Sequence, residues 1–437
     1  MVEFVNTKLR ILEGKTIAEG SAIWYNVDRH YTRRSAHKLP DTVCEAHGIY
    51  YDRNGASMLR EFELKQCVEP LLNWFLENAR ELPWRSEPAP YRVWVSEIML
   101  QQTRVEAVKP YFARFMAELP TVEALAKCPE DKLLKLWEGL GYYNRVRNMQ
   151  KAAIQVMEEY GGVIPAEYEN LLKLKGIGNY TAGAVASIAY GKFVPAVDGN
   201  VFRVLTRLTA DTTDIAKPSF RTEVESVLRE LLSEVTIPSD LKKKLKNENL
   251  PGSFNQALME LGATVCVPNG APLCESCPWQ QICLANRENL TASLPVKSKA
   301  KARRIEQHTV LILRDGEKVA IRKRENKGLL AGLYELPNVS GALGQEEALE
   351  EVKKLGYTPI RIQKLENAKH IFSHVEWHMN GYAILIEEPI EETGNLLFVE
   401  ASDAMARYAI PSAFAAYAKN LNIMLGNERF EQEEKQG

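Results

Sequence analysis

The stretch Leu174-Lys175-Gly176-Ile177-Gly178-Asn179-Tyr180-Thr181-Ala182-Gly183-Ala184 predicts a tight turn that leads into a helix. Its two glycines stand one residue apart, and glycine readily adopts the backbone conformations that such a turn needs. The N–H groups of the turn would then lie at a helix N-terminus, a geometry that suits a phosphate group. A Gly-x-Gly pair alone is equally typical of an ordinary turn between two helices, so its meaning depends on the surrounding residues.

Two acidic residues near this turn are candidates for chemistry. Asp198 follows Ala184 by fourteen residues and precedes Gly199-Asn200, so it could cap the helix that starts there. Glu97 lies in the largely apolar stretch Val93-Trp94-Val95-Ser96-Glu97-Ile98-Met99-Leu100. Burial there would raise the pKa of Glu97 and let it donate a proton near neutral pH. Composition alone favours the simpler alternative, a partly exposed glutamate on a helix.

Four of the seven cysteines cluster within eighteen residues. The gaps between them are seven, two and five residues, and in a chain without a secretory signal this grouping favours a metal site over disulfides. Four thiolates at such spacing can hold either a [4Fe-4S] cluster or a tetrahedral zinc ion, and spacing alone does not decide between them. Four structural cysteines without a ligand are the third alternative. The cysteines are Cys266, Cys274, Cys277 and Cys283.

The composition is that of an ordinary globular protein with room for two or three domains. The chain has 437 residues, 45% hydrophobic and 26% charged, and its net charge of −2 does not by itself indicate a nucleic-acid partner. No apolar run approaches the roughly 20 residues of a membrane-spanning helix, and no secretory leader is evident. We therefore expect no membrane association and a cytoplasmic location, at the nucleoid if the source is bacterial.

The periodicity of the apolar residues divides the chain into five segments. Residues 1–57 show no clear helical or strand periodicity and are expected to be a disordered or mis-started leader. The alternative, a metal or partner site built from their histidines, is disfavoured because these lack metal-ligand spacing. Residues 58–290 form a helical domain, whose first main helix should start or kink near Pro70. A basic linker (291–307) precedes an α+β domain (308–425) and a charged tail (426–437). Within that domain we predict strands at Thr309–Leu313, Lys318–Lys323 and Gly381–Glu387 and helices at Glu346–Leu355 and Pro411–Leu421.

Together these motifs resemble, over about residues 59–425, the helix-hairpin-helix DNA glycosylases, and specifically the adenine DNA glycosylases of the MutY family. The resemblance implies a mainly α N-terminal part with a [4Fe-4S] cluster on the four cysteines, and a C-terminal α+β Nudix-like domain. The implied activity is hydrolysis of the N-glycosidic bond of adenine opposite 8-oxoguanine or guanine in double-stranded DNA, by a monomer. Two features depart from the family: Lys175 replaces the usual proline, and the first cysteine gap has seven residues instead of six.

The resemblance also implies a role for each candidate residue. Glu97 would protonate the departing adenine, while Asp198, supported by Asn200, would face the oxocarbenium-like sugar. Tyr180 occupies the place where lyase-competent relatives carry a lysine, so base release without efficient strand cleavage is expected. The implied DNA contacts are Arg85, the wedge residues Gln102 and Tyr142 that fill the vacated stack, the hairpin glycines Gly176 and Gly178, and Phe372-Ser373-His374, which would read 8-oxoguanine.

Two other functions compete with this interpretation. An endonuclease III-like glycosylase and lyase for oxidised pyrimidines is disfavoured by Tyr180 and by the extra domain. A catalytically silent iron-sulfur DNA-binding protein is disfavoured by the presence of both Glu97 and Asp198. Nucleotide hydrolysis is not expected, because the residues after Glu335-Leu336-Pro337 lack the Arg-Glu-x-x-Glu-Glu arrangement that binds catalytic magnesium.

Overall fold

The computed structural model describes residues 58–298, 302–388, 395–421 and 423. The predicted leader (1–57) and charged tail (426–437) lie outside the described residues. Among the helices of the described ranges, none combines the length and apolar character needed to cross a membrane.

The first part of the described chain is helical as far as residue 290. Its helices are α1 (Lys65–Asn78), α2 (Pro83–Ser86), α3 (Pro90–Leu100), α4 (Val105–Glu118), α5 (Val122–Lys127), α6 (Glu130–Leu136), α7 (Asn144–Glu159), α8 (Tyr168–Leu171), α9 (Asn179–Ala184), α10 (Gly199–Leu208), α11 (Pro218–Glu234), α12 (Ser239–Lys244), α13 (Leu250–Thr264) and α14 (Leu284–Arg287). A π-helical turn, Val185–Ala189, extends α9 directly.

Helix α1 begins at Lys65 and continues through Pro70, so of the two predicted possibilities, a start or a kink near Pro70, the start is wrong. Proline in the second turn removes one N–H donor and leaves the carbonyl of Gln66 without its helical partner. The buried side chains of Val68, Leu71 and Leu72 stabilise the helix against this loss by packing into the core.

The helical part has two hydrophobic cores, and the chain passes from one to the other just before Asp198. The first core is built around Trp94, Trp137 and Phe115 and extends through α9 to Ala196. The second core contains Val197 and the apolar side of α10, packed against α1, α11 and α13. Asp198 therefore lies where the two cores meet, between well-packed elements that restrict its position.

The described residues of the C-terminal part form a seven-stranded mixed sheet with helices on both faces. Its central order is β3-β2-β1-β6-β5, with β4 beside β1 and β7 beside β2, and β1 and β6 run parallel. The elements are β1 (Arg304–Asp315), β2 (Lys318–Lys323), β3 (Tyr334–Glu335), β4 (Asn338–Ser340), α15 (Gln345–Lys354), β5 (Pro359–Ile371), β6 (Val375–Ile386), β7 (Leu396–Glu400), α16 (Ala401–Arg407) and α17 (Ala415–Ala418).

Alternate residues of β1 pack on opposite faces of this sheet. Leu311 and Leu313 pack with α15, whereas Val310 and Ile312 pack with Phe414 and its neighbours after α16. This period-two burial is what a strand covered on both faces requires.

The predicted α+β elements agree with the structure in part. The strand Lys318–Lys323 is confirmed as β2, and the helix predicted at Glu346–Leu355 is α15, shifted by one residue. The helix predicted at Pro411–Leu421 is wrong as one element, since α17 lies there between two short 3-10 turns. Strand β1 begins at Arg304, inside the segment predicted as linker, because it pairs along its length with β6. Strands β3, β4, β5 and β7 were not predicted.

Two segments of the C-terminal part pack into the helical part. Leu333 and Ala409 are buried members of the first helical core. Beside them, the backbone N–H of Ile410 donates to Glu138 Oε1 at 2.8 Å. Lys135 Nζ donates to Glu138 Oε2 at 2.7 Å and to the carbonyl of Tyr408 at 2.9 Å. The side chain of Glu138 is buried and that of Lys135 is only 12% exposed, so this polar contact is largely shielded from water.

Candidate active site and cysteine cluster

Glu97 is buried near the C-terminal end of α3, with only 5% of its surface exposed. Its pKa is raised from an ordinary value of 4.5 to about 7, chiefly by burial and also by the nearby charge of Asp198. A hydrogen bond from Tyr180 and the charge of Arg85 act in the opposite direction. Glu97 is thus a carboxyl group that holds a proton close to neutral pH, which agrees with the role that the family resemblance implied and not with the partly exposed glutamate that composition alone favoured.

Tyr180 contacts Glu97 directly from the start of α9. Its hydroxyl donates to Glu97 Oε2 at 2.5 Å and lies 3.6 Å from Met259 Sδ. Burial, followed by the charges of Glu97 and Asp198, raises the pKa of Tyr180 well above its ordinary value. The phenol therefore remains a neutral hydrogen-bond donor, aimed at the buried carboxyl group.

Asp198 is the N-cap of α10. One carboxylate oxygen, Oδ1, accepts the backbone N–H groups of Asn200 and Val201, both at 2.9 Å. The other, Oδ2, accepts from Asn200 Nδ2 at 2.8 Å. Burial raises the pKa of Asp198, while these three donors lower it by favouring the charged form. The structure thus brings Glu97, Asp198, Tyr180 and Asn200 into one site.

A buried arginine, which sequence reasoning missed, supports Asn200. Arg203 Nη2 donates to Asn200 Oδ1 and to the carbonyl of Gly262, both at 2.8 Å. Arg203 Nε donates to the carbonyl of Cys266 at 2.8 Å. The signal available in the sequence was a pair of arginines, Arg203 and Arg207, four residues apart in an otherwise apolar helix. Through Arg203, the Asp198 side of the site is connected to the loop that carries the cysteines.

The four clustered cysteines line one small cavity after α13. Arg207 closes one side of the cavity by donating to Cys266 Sγ at 3.4 Å and to the carbonyl of Val267 at 2.9 Å. All four are free thiols. As arranged, no three His, Cys, Asp or Glu side chains in the described ranges are grouped to hold a single metal ion.

The two glycines of the Gly-x-Gly turn have different backbone conformations. Gly176 has a φ of +78°, and a Cβ there would lie 2.6 Å from Cβ of Asn148, so this position requires glycine. Gly178 is extended and is the N-cap of α9. The need for glycine is therefore strong at Gly176 alone.

The two predicted wedge residues contact each other. Gln102 follows α3 and Tyr142 precedes α7, and the Tyr142 hydroxyl donates to Gln102 Oε1 at 2.7 Å. Both have a left-handed backbone, with φ values of 60° and 48°. Such values are uncommon for residues other than glycine, and they occur here at two neighbouring loops.

The Phe372-Ser373-His374 segment is the turn between β5 and β6. It lines a cavity of about 680 Å³ between the sheet and the helical part, opposite Tyr142 and Lys175. The Phe372 ring packs edge-on against Trp377, with ring centroids 5.0 Å apart. The structure therefore brings this turn and one wedge residue to the same cavity.

Arg85, predicted to contact DNA, makes internal contacts in this structure. Its Nη2 donates to Glu260 Oε2 at 2.7 Å and its Nη1 to the carbonyl of Arg80 at 3.1 Å. Its charge lowers the pKa of Glu97. Its observed effect on the site is therefore electrostatic.

Comparisons with known proteins match both parts of the chain. Residues 95–230 match the family model of the HhH-GPD superfamily of base excision DNA repair proteins. Residues 308–420 match the family model of the NUDIX domain. A rat protein named adenine DNA glycosylase is 35% identical over 72% of this chain and 70% of its own length. A mouse protein of that name is 34% identical over 79% and 77%. One from Buchnera aphidicola is 32% identical over 73% and 86%.

Proposed function

This chain belongs to the adenine DNA glycosylase family, and from that membership we propose that it removes adenine lying opposite 8-oxoguanine or guanine in double-stranded DNA. The observation that carries the proposal is the buried Glu97, protonated near neutral pH and adjacent to Asp198. These two groups supply what hydrolysis of an N-glycosidic bond needs, a proton for the leaving base and a negative charge for the sugar cation.

The two carboxyl groups have different roles in the reaction. Glu97 gives its proton to the adenine as the bond to the sugar breaks, which turns a poor leaving group into a neutral one. The three hydrogen bonds to Asp198 favour its anionic form, which stabilises the positive charge that develops on the sugar. Water then adds to the sugar cation and gives up a proton to the Glu97 carboxylate, which restores the acid and completes the hydrolysis.

The replacement Glu97→Gln tests the acid role. It preserves size and hydrogen bonding but removes the proton, so adenine release in a single turnover should fall by at least about a hundredfold while duplex binding persists. Glu106→Gln is the matched control, because Glu106 is an exposed partner of Lys109 on α4. Near-normal excision by the Glu97→Gln enzyme would overturn the assignment.

The substrate is tested on three duplexes with the unmodified enzyme. We expect release of adenine opposite 8-oxoguanine and opposite guanine, and no release of an oxidised pyrimidine. Preferential release of the pyrimidine would favour the endonuclease III-like alternative. Binding of all three duplexes with no base release would favour a silent DNA-binding protein.

We further propose that Cys266, Cys274, Cys277 and Cys283 hold a [4Fe-4S] cluster. The support is that all four thiols surround one cavity. In a cubane each thiolate binds its own iron, whereas four thiolates on one zinc must converge to about 2.3 Å from a single point. When bound, the cluster would supply a rigid cross-link between the four cysteines and so fix the loop that carries them. Anaerobically purified protein should contain iron and acid-labile sulfide in equal amounts, and zinc without iron would contradict the proposal.

We propose that Phe372, Ser373 and His374 contact 8-oxoguanine in the strand opposite the adenine. The turn supports this role because it lines the cavity opposite Tyr142. Ser373→Ala combined with His374→Ala should slow excision opposite 8-oxoguanine more than opposite guanine, because lesion contacts are lost selectively. Glu317→Gln, in the exposed β1–β2 turn, is the control. An equal loss on both duplexes would instead assign the turn to general DNA affinity.

A further inference from the structure

One arginine connects the two loops that carry Gln102 and Tyr142. Arg145 lies in the first turn of α7, and its guanidinium is partly buried between these loops. Burial lowers its pKa to about 10, so it remains positively charged near neutral pH. Its plane also lies over the rings of Trp137 and Tyr142, at 5.4 and 5.5 Å from the centroids.

The two terminal nitrogens of Arg145 donate hydrogen bonds to different loops. Nη1 faces the end of α3, where the last carbonyls have no helical partner, and Nη2 faces the loop before α7. Together they donate to five backbone carbonyls: those of Ile98 at 2.7 Å, Met99 at 3.2 Å and Gln101 at 2.6 Å, and those of Leu140 at 2.9 Å and Gly141 at 3.2 Å.

The last acceptor in each loop immediately precedes a wedge residue. Gln101 precedes Gln102, and Gly141 precedes Tyr142, so Arg145 binds the peptide bonds from which both side chains emerge. Each wedge residue has a left-handed backbone, which costs free energy and persists only where neighbouring contacts enforce it. The hydrogen bonds of Arg145 are such contacts.

We propose that Arg145 is a positioning residue that holds Gln102 and Tyr142 together as one preformed wedge before DNA binds. This inference rests on the proposed function and on the wedge role that the family resemblance implies, in which adenine leaves the base stack and Gln102 and Tyr142 fill its place. A wedge that already has its inserted conformation loses little conformational freedom on binding, so flipping of the base becomes more favourable. Arg145 itself touches neither the base nor the sugar in this role.

Lysine cannot replace arginine here. The planar guanidinium carries donors on two separate nitrogens, which reach acceptors in two loops at once. A lysine ammonium is a single point and can serve one loop only. Arg145→Lys should therefore keep the positive charge and most of the packing while releasing one of the two loops.

The test is a comparison of Arg145→Lys in two backgrounds. Base flipping is followed with 2-aminopurine fluorescence in place of the adenine, and excision is measured in a single turnover. In the full-length enzyme, Arg145→Lys should lower both by about tenfold or more, with the pH profile of excision unchanged because Glu97 is unaffected. In a background carrying Gln102→Ala and Tyr142→Ala, the same change should have little further effect.

Several outcomes would overturn the inference. An equal loss in both backgrounds would show that Arg145 acts on folding or on another part of the site. If Gln102→Ala with Tyr142→Ala leaves flipping unchanged, the wedge itself is wrong, whereas the proposed removal of adenine by Glu97 and Asp198 would still stand. Arg92→Lys is the control for a lost arginine contact, since Arg92 lies on α3 and donates a hydrogen bond to the carbonyl of Pro83.

Amide hydrogen exchange of the DNA-free enzyme gives a second measurement that does not need activity. Arg145→Lys should accelerate exchange at residues 100–103 or 140–143 by about tenfold and leave α9 and α10 unchanged, because only the loops lose a constraint. Unchanged exchange in both loops would contradict the preformed wedge. Arg145→Met, which removes every donor, should accelerate exchange in both loops.

Discussion

At Glu97, the burial that keeps the proton also makes the stability of the protein depend on pH. The folded-state pKa is about 7 and the ordinary value is 4.5. Between these values the unfolded chain releases the proton and the folded chain keeps it, so stability falls as pH rises through this window. Above about pH 7 both forms are ionised, and the contribution becomes constant.

Glu97→Gln should remove this dependence. The free energy of unfolding of the Glu97→Gln enzyme, relative to the native one, should increase by on the order of 3 kcal/mol as pH rises from about 4.5 to about 7. Urea unfolding at a series of pH values measures this difference. Glu106→Gln should show no such trend, and a Glu97→Gln difference independent of pH would contradict the raised pKa.

Tyr180 should determine that the reaction stops after base release. A phenol cannot form an imine with the sugar, whereas an amine in its place would lie beside Glu97. Tyr180→Lys should therefore gain a borohydride-trappable adduct with DNA, with slower excision because the hydrogen bond to Glu97 changes.

Lys175 is the nearest amine in the same turn motif. It lines the cavity between the helical part and the sheet, and neither Glu97 nor Tyr180 lines that cavity. Trapping by the native enzyme that disappears on Lys175→Ala would show that this amine reacts after all.

At the scale of elements, α10 depends on Asp198 for its cap as well as for the proposed chemistry, and the two roles can be separated. Asparagine caps helices about as well as aspartate does, but it carries no charge. Asp198→Asn should reduce excision strongly while changing the free energy of unfolding little. Asp198→Ala should reduce excision and also lower that free energy by about 1 kcal/mol. Chemical denaturation beside single-turnover assays distinguishes these outcomes, and equal destabilisation by both variants would argue against the cap.

Elements and residues could be predicted from the sequence where neighbours along the chain determine them. Strand β2 follows from a short apolar run between polar turns. The burial of Glu97 did not follow from composition, which favoured a partly exposed glutamate, and only the family resemblance indicated its role as an acid. Strand β5 was missed because it is mostly exposed and polar, so its residues show no alternation. The contacts of Arg145 were missed because three of its acceptors lie 44 to 47 residues earlier in the chain.

At the scale of the whole molecule, the buried contact of Glu138 should fix the two parts against each other. Glu138→Ala removes the acceptor of Ile410 and leaves Lys135 without this buried partner, which should lower the free energy of unfolding by about 3 kcal/mol. Asp131→Asn is the matched control, because the Asp131–Lys323 pair also joins the two parts but is exposed. Its effect should stay below about 1 kcal/mol in denaturant titrations. Equal effects would mean that the buried contact contributes no more than the surface one.

The burial of Leu333 and Ala409 in the helical core also affects how the protein is made. The ribosome completes the helical part well before it adds either residue. Until then, the apolar surface on which Leu333 and Ala409 pack is open to water and to other nascent chains. A premature stop codon after residue 298 would leave that surface permanently uncovered. Such a product would lack the sheet and would also be prone to aggregation and to degradation in the cell.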